Sequence, residues 1–281
     1  MAVIEGALSG AFPSKNPSAQ VFNVDPSISG SLQVAIDACV AGNGDIILVE
    51  RGGHTVTETV NFNKSGIQVF AVDDGLSPLA RGEFNGILAD ASFTDGPVVT
   101  ITAPCRLDGF AFVSRDTSTA NAYEGAAALI GGAADGAFGV HIRNCRFPKW
   151  ALDNRFGLAL AGGAAVADVL VEDCTFEGVG ADFDAGIFAQ GAIQNLTIRR
   201  NHFRQCTAAV KFGVFAGGGP HVFIHENMVE DGLLLDTDGN AGNGLIAGNW
   251  LETATDTSSY DRSVATLQGD GYSFSGNHYS E

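Results

Sequence analysis

The stretch GVHIRNCRF, residues 139–147, returns as DVLVEDCTF (168–176), NLTIRRNHF (195–203), HVFIHENMV (221–229), GLIAGNWL (244–251) and GYSFSGNHY (271–279). Aligned, these copies share four columns. The first holds Val140, Val169, Leu196, Val222, Gly244 and Tyr272, and two residues on stand Ile142, Val171, Ile198, Ile224, Ile246 and Phe274. Three further on come Cys145, Cys174, Asn201, Asn227, Asn249 and Asn277, then two later Phe147, Phe176, Phe203, Val229, Leu251 and Tyr279. A two-residue period places the first two columns on one side of a strand. The three-residue step that follows breaks the alternation, so the chain turns a corner before its next inward residue. The copies are spaced 29, 27, 26, 22 and 28 residues apart. Like residues then stack from coil to coil about 4.8 Å apart. Stacked Val, Ile and Phe fill a continuous interior. Stacked Asn amides at the corner satisfy one another and the turn backbone, which offsets their burial. Cys145 and Cys174 occupy the same corner as small, weakly polar members of that structural ladder.

Each copy also carries a second apolar patch: GLALAGG (157–163), GIFAQG (186–191), GVFAGGG (213–219) and GLLLD (232–236). These read as a further sheet of each coil, closed by a glycine turn. Coils of 22–29 residues with three short strands suit a three-sided parallel β-helix, a solenoid whose insertions project as loops. Upstream, LDGFAF (107–112) places Leu107 and Phe112 in the Ile and Phe columns, and residues 45–72 supply strands for the first coils. Leu32, Ala35, Ile36 and Cys39 mark one face of a helix at about 31–41, capped by Ser31. A solenoid end exposes open strand edges, and an amphipathic cap covers them. Residues 1–30 read as an extended arm that anchors the solenoid, with Val3, Ile4, Leu8, Phe12 and Phe22 as its apolar contacts.

The chain has 32 acidic residues against 15 basic ones, a formal charge of −17. Such a surface repels phosphate backbones and anionic lipid, which excludes nucleic acid and membrane as partners. No apolar run reaches the roughly 18 residues of a membrane span. The N-terminus has Glu5 where a signal peptide would be apolar. Five cysteines with no CxxC pair read as buried reduced thiols of a chain made in the cytoplasm.

The segment SLQVAIDAC (31–39) followed by GNGDIILVERGGHTVTETVNFNKSGIQV (42–69) resembles the capping helix and first coils of the pectate-lyase-like superfamily, and most of all its bacteriophage virion members. The resemblance covers roughly 31–281 and departs from the pattern at the ERGG turn before His54, where many relatives have a proline–glycine turn and an aromatic residue. It implies an all-β fold: a right-handed three-sided parallel β-helix over 31–281, with its capping helix, behind the arm at 1–30. That superfamily includes lyases, glycoside hydrolases, tailspikes and non-enzymatic virion proteins, so chemistry has to be sought in the residues themselves.

Glycoside hydrolysis requires two carboxylates about 5–9.5 Å apart. The candidates are Asp182 with Asp184, Asp236 with Asp238, and Glu230 with Asp231. A polygalacturonase-type set is absent in order. DTDGN at 236–240 resembles the start of a calcium loop, but Ala241 and Ala247 stand where the motif needs Gly and Glu. It reads as a solvated turn that takes up calcium only adventitiously, and no other cofactor is expected. Lyase chemistry would draw its base from Arg143, Arg199, Arg200, Arg204 or Lys211, all at outward positions where salt bridges explain them. His141, His202, His221, His225 and His278 lack metal-binding spacing.

The function expected from the resemblance is therefore a structural virion protein of a bacteriophage, a capsid decoration or spike protein or a small tailspike-like protein. It would be homotrimeric and held to capsid or tail proteins by the arm. The alternative is a polysaccharide depolymerase, hydrolase or lyase, acting on host surface polysaccharide through a surface carboxylate pair.

Overall fold

The computed structural model describes residues 18–72, 86–93, 96–114, 125–132, 136–149, 155–178, 183–215, 221–230, 232–237, 243–252 and 271–280. Every paired strand among them runs parallel to its neighbours. The strands form three ladders. The first begins at Val21–Val24 and Ile46–Val49 and ends at Asn243–Ala247 and Tyr272–Ser275. The second runs from Gly53–Val56 to His278–Ser280. The third runs from Val60–Phe62 to Leu233–Asp236. The first and third ladders are continuous because Phe156–Glu172 and Phe183–Arg199 each pass from one to the other without a break.

The aligned columns appear as registers. Ile142, Val171, Ile198, Ile224, Ile246 and Phe274 are successive partners in the first ladder. The same register extends backward through Leu107, Val69 and Ile47 to Phe22. Phe22, assigned to the anchoring arm on sequence, is thus a core residue, 7% exposed. The alternating VFNV segment buries Phe22 and Val24 and pairs with Ile46–Val49, so the solenoid starts before its capping helix. The anchoring residues Val3, Ile4, Leu8 and Phe12 lie outside the described residues. The capping helix spans Ser31–Ala38 and buries Leu32, Ala35 and Ile36. Its N-cap is Gly30, not Ser31. The Ser31 hydroxyl instead donates toward the Asp25 and Ile28 carbonyls, which ties the helix to the preceding turn.

Inside the second ladder the column reads His54, Ile87, Phe112, Phe147, Phe176, Phe203, Val229 and Leu251. The Phe147, Phe176 and Phe203 rings stack with centroids 4.6 and 4.8 Å apart, within 9° of parallel. Room for this stack comes from the glycines at the corner leading into the third ladder. A Cβ on Gly157 would lie 2.7 Å from the Phe176 ring, and one on Gly186 would lie 2.6 Å from Phe203. One coil later the position is Ala209, and there Val229 replaces the phenylalanine. Gly186→Ala is therefore expected to cost about 1–3 kcal/mol by overpacking. Urea denaturation checks this, and in a Phe203→Val background the same alanine is expected to be tolerated.

In the six coils from Val140 onward, the turn from the first ladder to the second is made by one residue in the left-handed region. Asn144, Asp173, Arg200, Glu226, Gly248 and Gly276 all have φ between 51° and 64°. Only the last two are glycines, and each of the others bears roughly 1–2 kcal/mol of backbone strain. The corner ladder behind the turn compensates. Asn227 Oδ1 accepts from the Asn201 backbone N–H at 2.9 Å and from Asn201 Nδ2 at 3.0 Å. Asn227 Nδ2 donates to the Ile198 carbonyl at 3.0 Å and to Asn249 Oδ1 at 2.9 Å. The pattern repeats from Asn201 to Asn277. At its N-terminal end the Cys174 N–H donates to Asn201 Oδ1, and the Cys145 N–H donates to the Cys174 sulfur at 3.4 Å. All five cysteines are buried free thiols, and burial pushes the Cys105 thiol up to about 12.

His54 opens the aromatic column at the capped end and is 1% exposed. Burial lowers its pKa, outweighing a hydrogen bond to the Pro26 carbonyl and the charge of Asp25. In the unfolded chain the imidazole titrates near 6.5. The unfolded state then binds more protons below that pH, so stability is complete above about 6.5 and is lost as pH falls toward the depressed folded value. Thermal midpoints at pH 7.5 and 5.5 are expected to lie closer together in His54→Phe than in the wild type.

Candidate functional site

Charged side chains gather on the outer surface of the first and second ladders, on either side of the corner. The outward column beside the isoleucine register reads Arg143, Glu172, Arg199 and His225 on successive coils. Glu172 is its centre, with a side chain only 5% exposed. It accepts from Arg199 Nε at 2.8 Å and Arg200 Nη2 at 2.6 Å, and His141 Nε2 lies 2.9 Å away. Arg143 approaches the same carboxylate at 3.7 Å. Asp173, next in sequence, takes Arg200 Nε at 2.8 Å and Arg143 at 3.5 Å.

Burial opposes ionisation of Glu172, but the hydrogen bonds from Arg199 and His141 outweigh it and hold its pKa below the usual value. Burial lowers the pKa of His141 despite the carboxylate beside it. Asp173 is held low chiefly by its hydrogen bond from Arg200. The result is a coil-to-coil lattice with the carboxylates ionised and His141 neutral near pH 7. Around the corner the second ladder repeats the arrangement. Arg204 reaches Glu177 at 3.3 Å and Glu230 at 3.5 Å, Arg146 approaches Glu177 at 3.7 Å, and His202 Nε2 lies 2.8 Å from Glu230.

Of the carboxylates singled out on sequence, Glu230 belongs to this second-ladder lattice, whereas Asp184 and Asp236 lie along the third ladder. Asp184 is bound by Arg155 at 2.8 Å, and Asp236 by Lys211 at 3.0 Å. Asp182, Asp231 and Asp238 fall outside the described residues, so of each of those pairs only one member is placed. Asp236 partners Lys211, which partners Phe188, four residues beyond Asp184. At about 3.3 Å per residue and 4.8 Å per strand, Asp184 and Asp236 stand roughly 16 Å apart. That exceeds the ~9.5 Å upper limit for a glycosidase pair. The outward arginines named for lyase chemistry, and Lys211, are engaged in the ion pairs above. No group of three or more His, Cys, Asp or Glu side chains suited to a metal occurs among the described residues, and none of their helices is long and apolar enough to cross a membrane.

Glu172 was not singled out on sequence, yet a signal for it exists. In the aligned copies it stands in the same column as Arg143 and Arg199, and alternation of sign down a stacked column means neighbouring coils pair their charges.

A family model described as "Right handed beta helix region" matches residues 129–280. Among solved structures, the Geobacillus virus E2 protein ORF18 aligns with a TM-score of 0.37 and 12% identity, covering 83% of this chain and 57% of that one. The chain thus spans 57% of the length of that protein. No curated protein sequence matches it. The matched span holds all six corner turns from Gly139 to Tyr279, and the chain belongs to the right-handed β-helix family.

Proposed function

We propose that this chain is a structural protein of a bacteriophage particle, a capsid decoration or spike protein or a small tailspike-like protein. It acts as a homotrimer attached through residues 1–17. The observation that supports a structural role is how its surface carboxylates are used. Glu172, Asp173, Glu177, Glu230, Asp184 and Asp236 each hold a cationic side chain, and most of these pairs join one coil to the next. Such a surface stiffens a rod. A depolymerase would present two unpaired carboxylates, or a free base beside them, facing a groove. The particle itself is suggested by the superfamily that residues 31–69 resemble.

The proposed arm is limited to residues 1–17, because the chain from Ser18 is bound to the first coil. Ser18 and Gln20 are tied to the first coil, because Asn43 donates to the Ser18 carbonyl and the Gln20 N–H donates to Asp45. Deletion of residues 1–17 is therefore expected to release the protein from particles while leaving its thermal midpoint unchanged. Retained attachment would refute the anchoring role. Release of reducing ends or unsaturated products from a panel of bacterial polysaccharides, abolished by Asp236→Asn, would overturn the structural reading in favour of a depolymerase.

A further inference from the structure

The outward columns change character along the solenoid. Up to the Asn201 coil they carry the paired charges described above. In the next two coils one outward column on each side of the corner becomes apolar, while Glu230 and Glu252 continue the charged column beside it on the second ladder. Phe223 and Leu245 are partners on the first ladder, 46% and 39% exposed, and Met228 and Trp250 are partners on the second, 37% and 47% exposed. Each pair is contiguous, because partners in register lie about 4.8 Å apart. Large contiguous apolar side chains left in water mark an interaction surface.

Two features identify what covers them. The first is their level. Phe223 and Met228 belong to one coil and Leu245 and Trp250 to the next, each five residues apart across the corner. The two patches therefore flank a single corner at one height along the solenoid. A rotation axis parallel to the solenoid and beside that corner brings the first-ladder patch of one copy against the second-ladder patch of its neighbour. Contacts of this heterologous kind close into a ring.

The second feature is charge. The first-ladder strands His221–His225, Asn243–Ala247 and Tyr272–Ser275 carry no carboxylate and two histidines. The second-ladder strands Met228–Glu230 and Trp250–Glu252 bring Glu230 and Glu252. A second-on-second contact would set carboxylates against carboxylates between chains that each carry −17. A first-on-second contact sets them against strands that carry no carboxylate, with Glu226 confined to the turn beside His225.

We propose that Phe223 with Leu245 and Met228 with Trp250 are the two complementary halves of the interface between copies of this chain. The inference rests on the homotrimer in the reading above. Light scattering on the purified full chain tests it. The wild type is expected at three times the 29.0 kDa chain mass. Phe223→Ser/Leu245→Ser and Met228→Ser/Trp250→Ser are each expected to be monomers, a threefold fall in mass, with unchanged far-UV circular dichroism. Mixed together, the two variants retain one intact half each and are expected to form a one-to-one pair that does not close. A monomeric wild type would overturn the proposal. So would variants that keep the wild-type mass, and that result would leave the particle reading standing. Absence of the chain from particles would overturn that reading and leave the interface standing.

Discussion

Asn227→Ala is expected to lower the stability of the solenoid by roughly 3–5 kcal/mol, the combined cost of several buried polar groups left without partners at about 1–3 kcal/mol each. Asn227 is 1% exposed and serves both neighbouring coils. Its oxygen takes two donors from Asn201, and its amide nitrogen serves the Ile198 carbonyl and Asn249. Alanine strands the Asn201 N–H behind a turn at Arg200 that is already in the left-handed region. Asn227→Cys is expected to cost less, because a thiol in this column still accepts a backbone N–H, as Cys174 does from Cys145. Urea denaturation ranks the two variants. Amide exchange locates the damage, which a quasi-one-dimensional fold should confine to the coils on either side. Equal stability of wild type and Asn227→Ala would mean that the corner ladder contributes nothing.

Phe176→Ala is expected to be about as severe, at about 3–5 kcal/mol. The ring is fully buried between Phe147 and Phe203 and packs against Gly157, so no side chain nearby is free to collapse into the space. Phe176→Leu, which keeps most of the volume, is expected to recover more than half of the loss. The corresponding change at Val229, where the column has already narrowed, is expected to be milder. The midpoint of chemical denaturation at constant slope reads each of these directly.

The part of the fold that sequence made visible is the part in which one pattern repeats without insertion. From Val140 onward, two alternating apolar residues, a three-residue step and a further large apolar residue recur often enough that register, corner and interior could be read together. Nearer the N-terminus the same columns exist, but Val69 and Leu107 are 38 residues apart, and Leu107 and Ile142 are 35 apart. Insertions of that length hide a two-residue period. Phe22 was hidden for a different reason. Its partner Ile47 lies 25 residues away across the capping helix, and four residues of alternation are too few to distinguish a strand from an arm.

The charged lattice was half legible. Outward arginines were recognisable as salt-bridge partners, but the buried position of Glu172 depends on three guanidinium groups and an imidazole from the two neighbouring coils converging, which no local window contains. A left-handed turn is legible from residue type only where it is glycine, asparagine or aspartate. At Arg200 and Glu226 the ladder behind the turn, not the residue, dictates the backbone.

The central claim, that this solenoid is a structural component of a phage particle, is tested most directly by quantitative mass spectrometry of purified particles from cells that carry the gene. The account predicts peptides of this chain in the particle fraction at a fixed ratio to the capsid protein, retained through density-gradient purification. Recovery of the chain only from the soluble fraction, with none on particles, would contradict it.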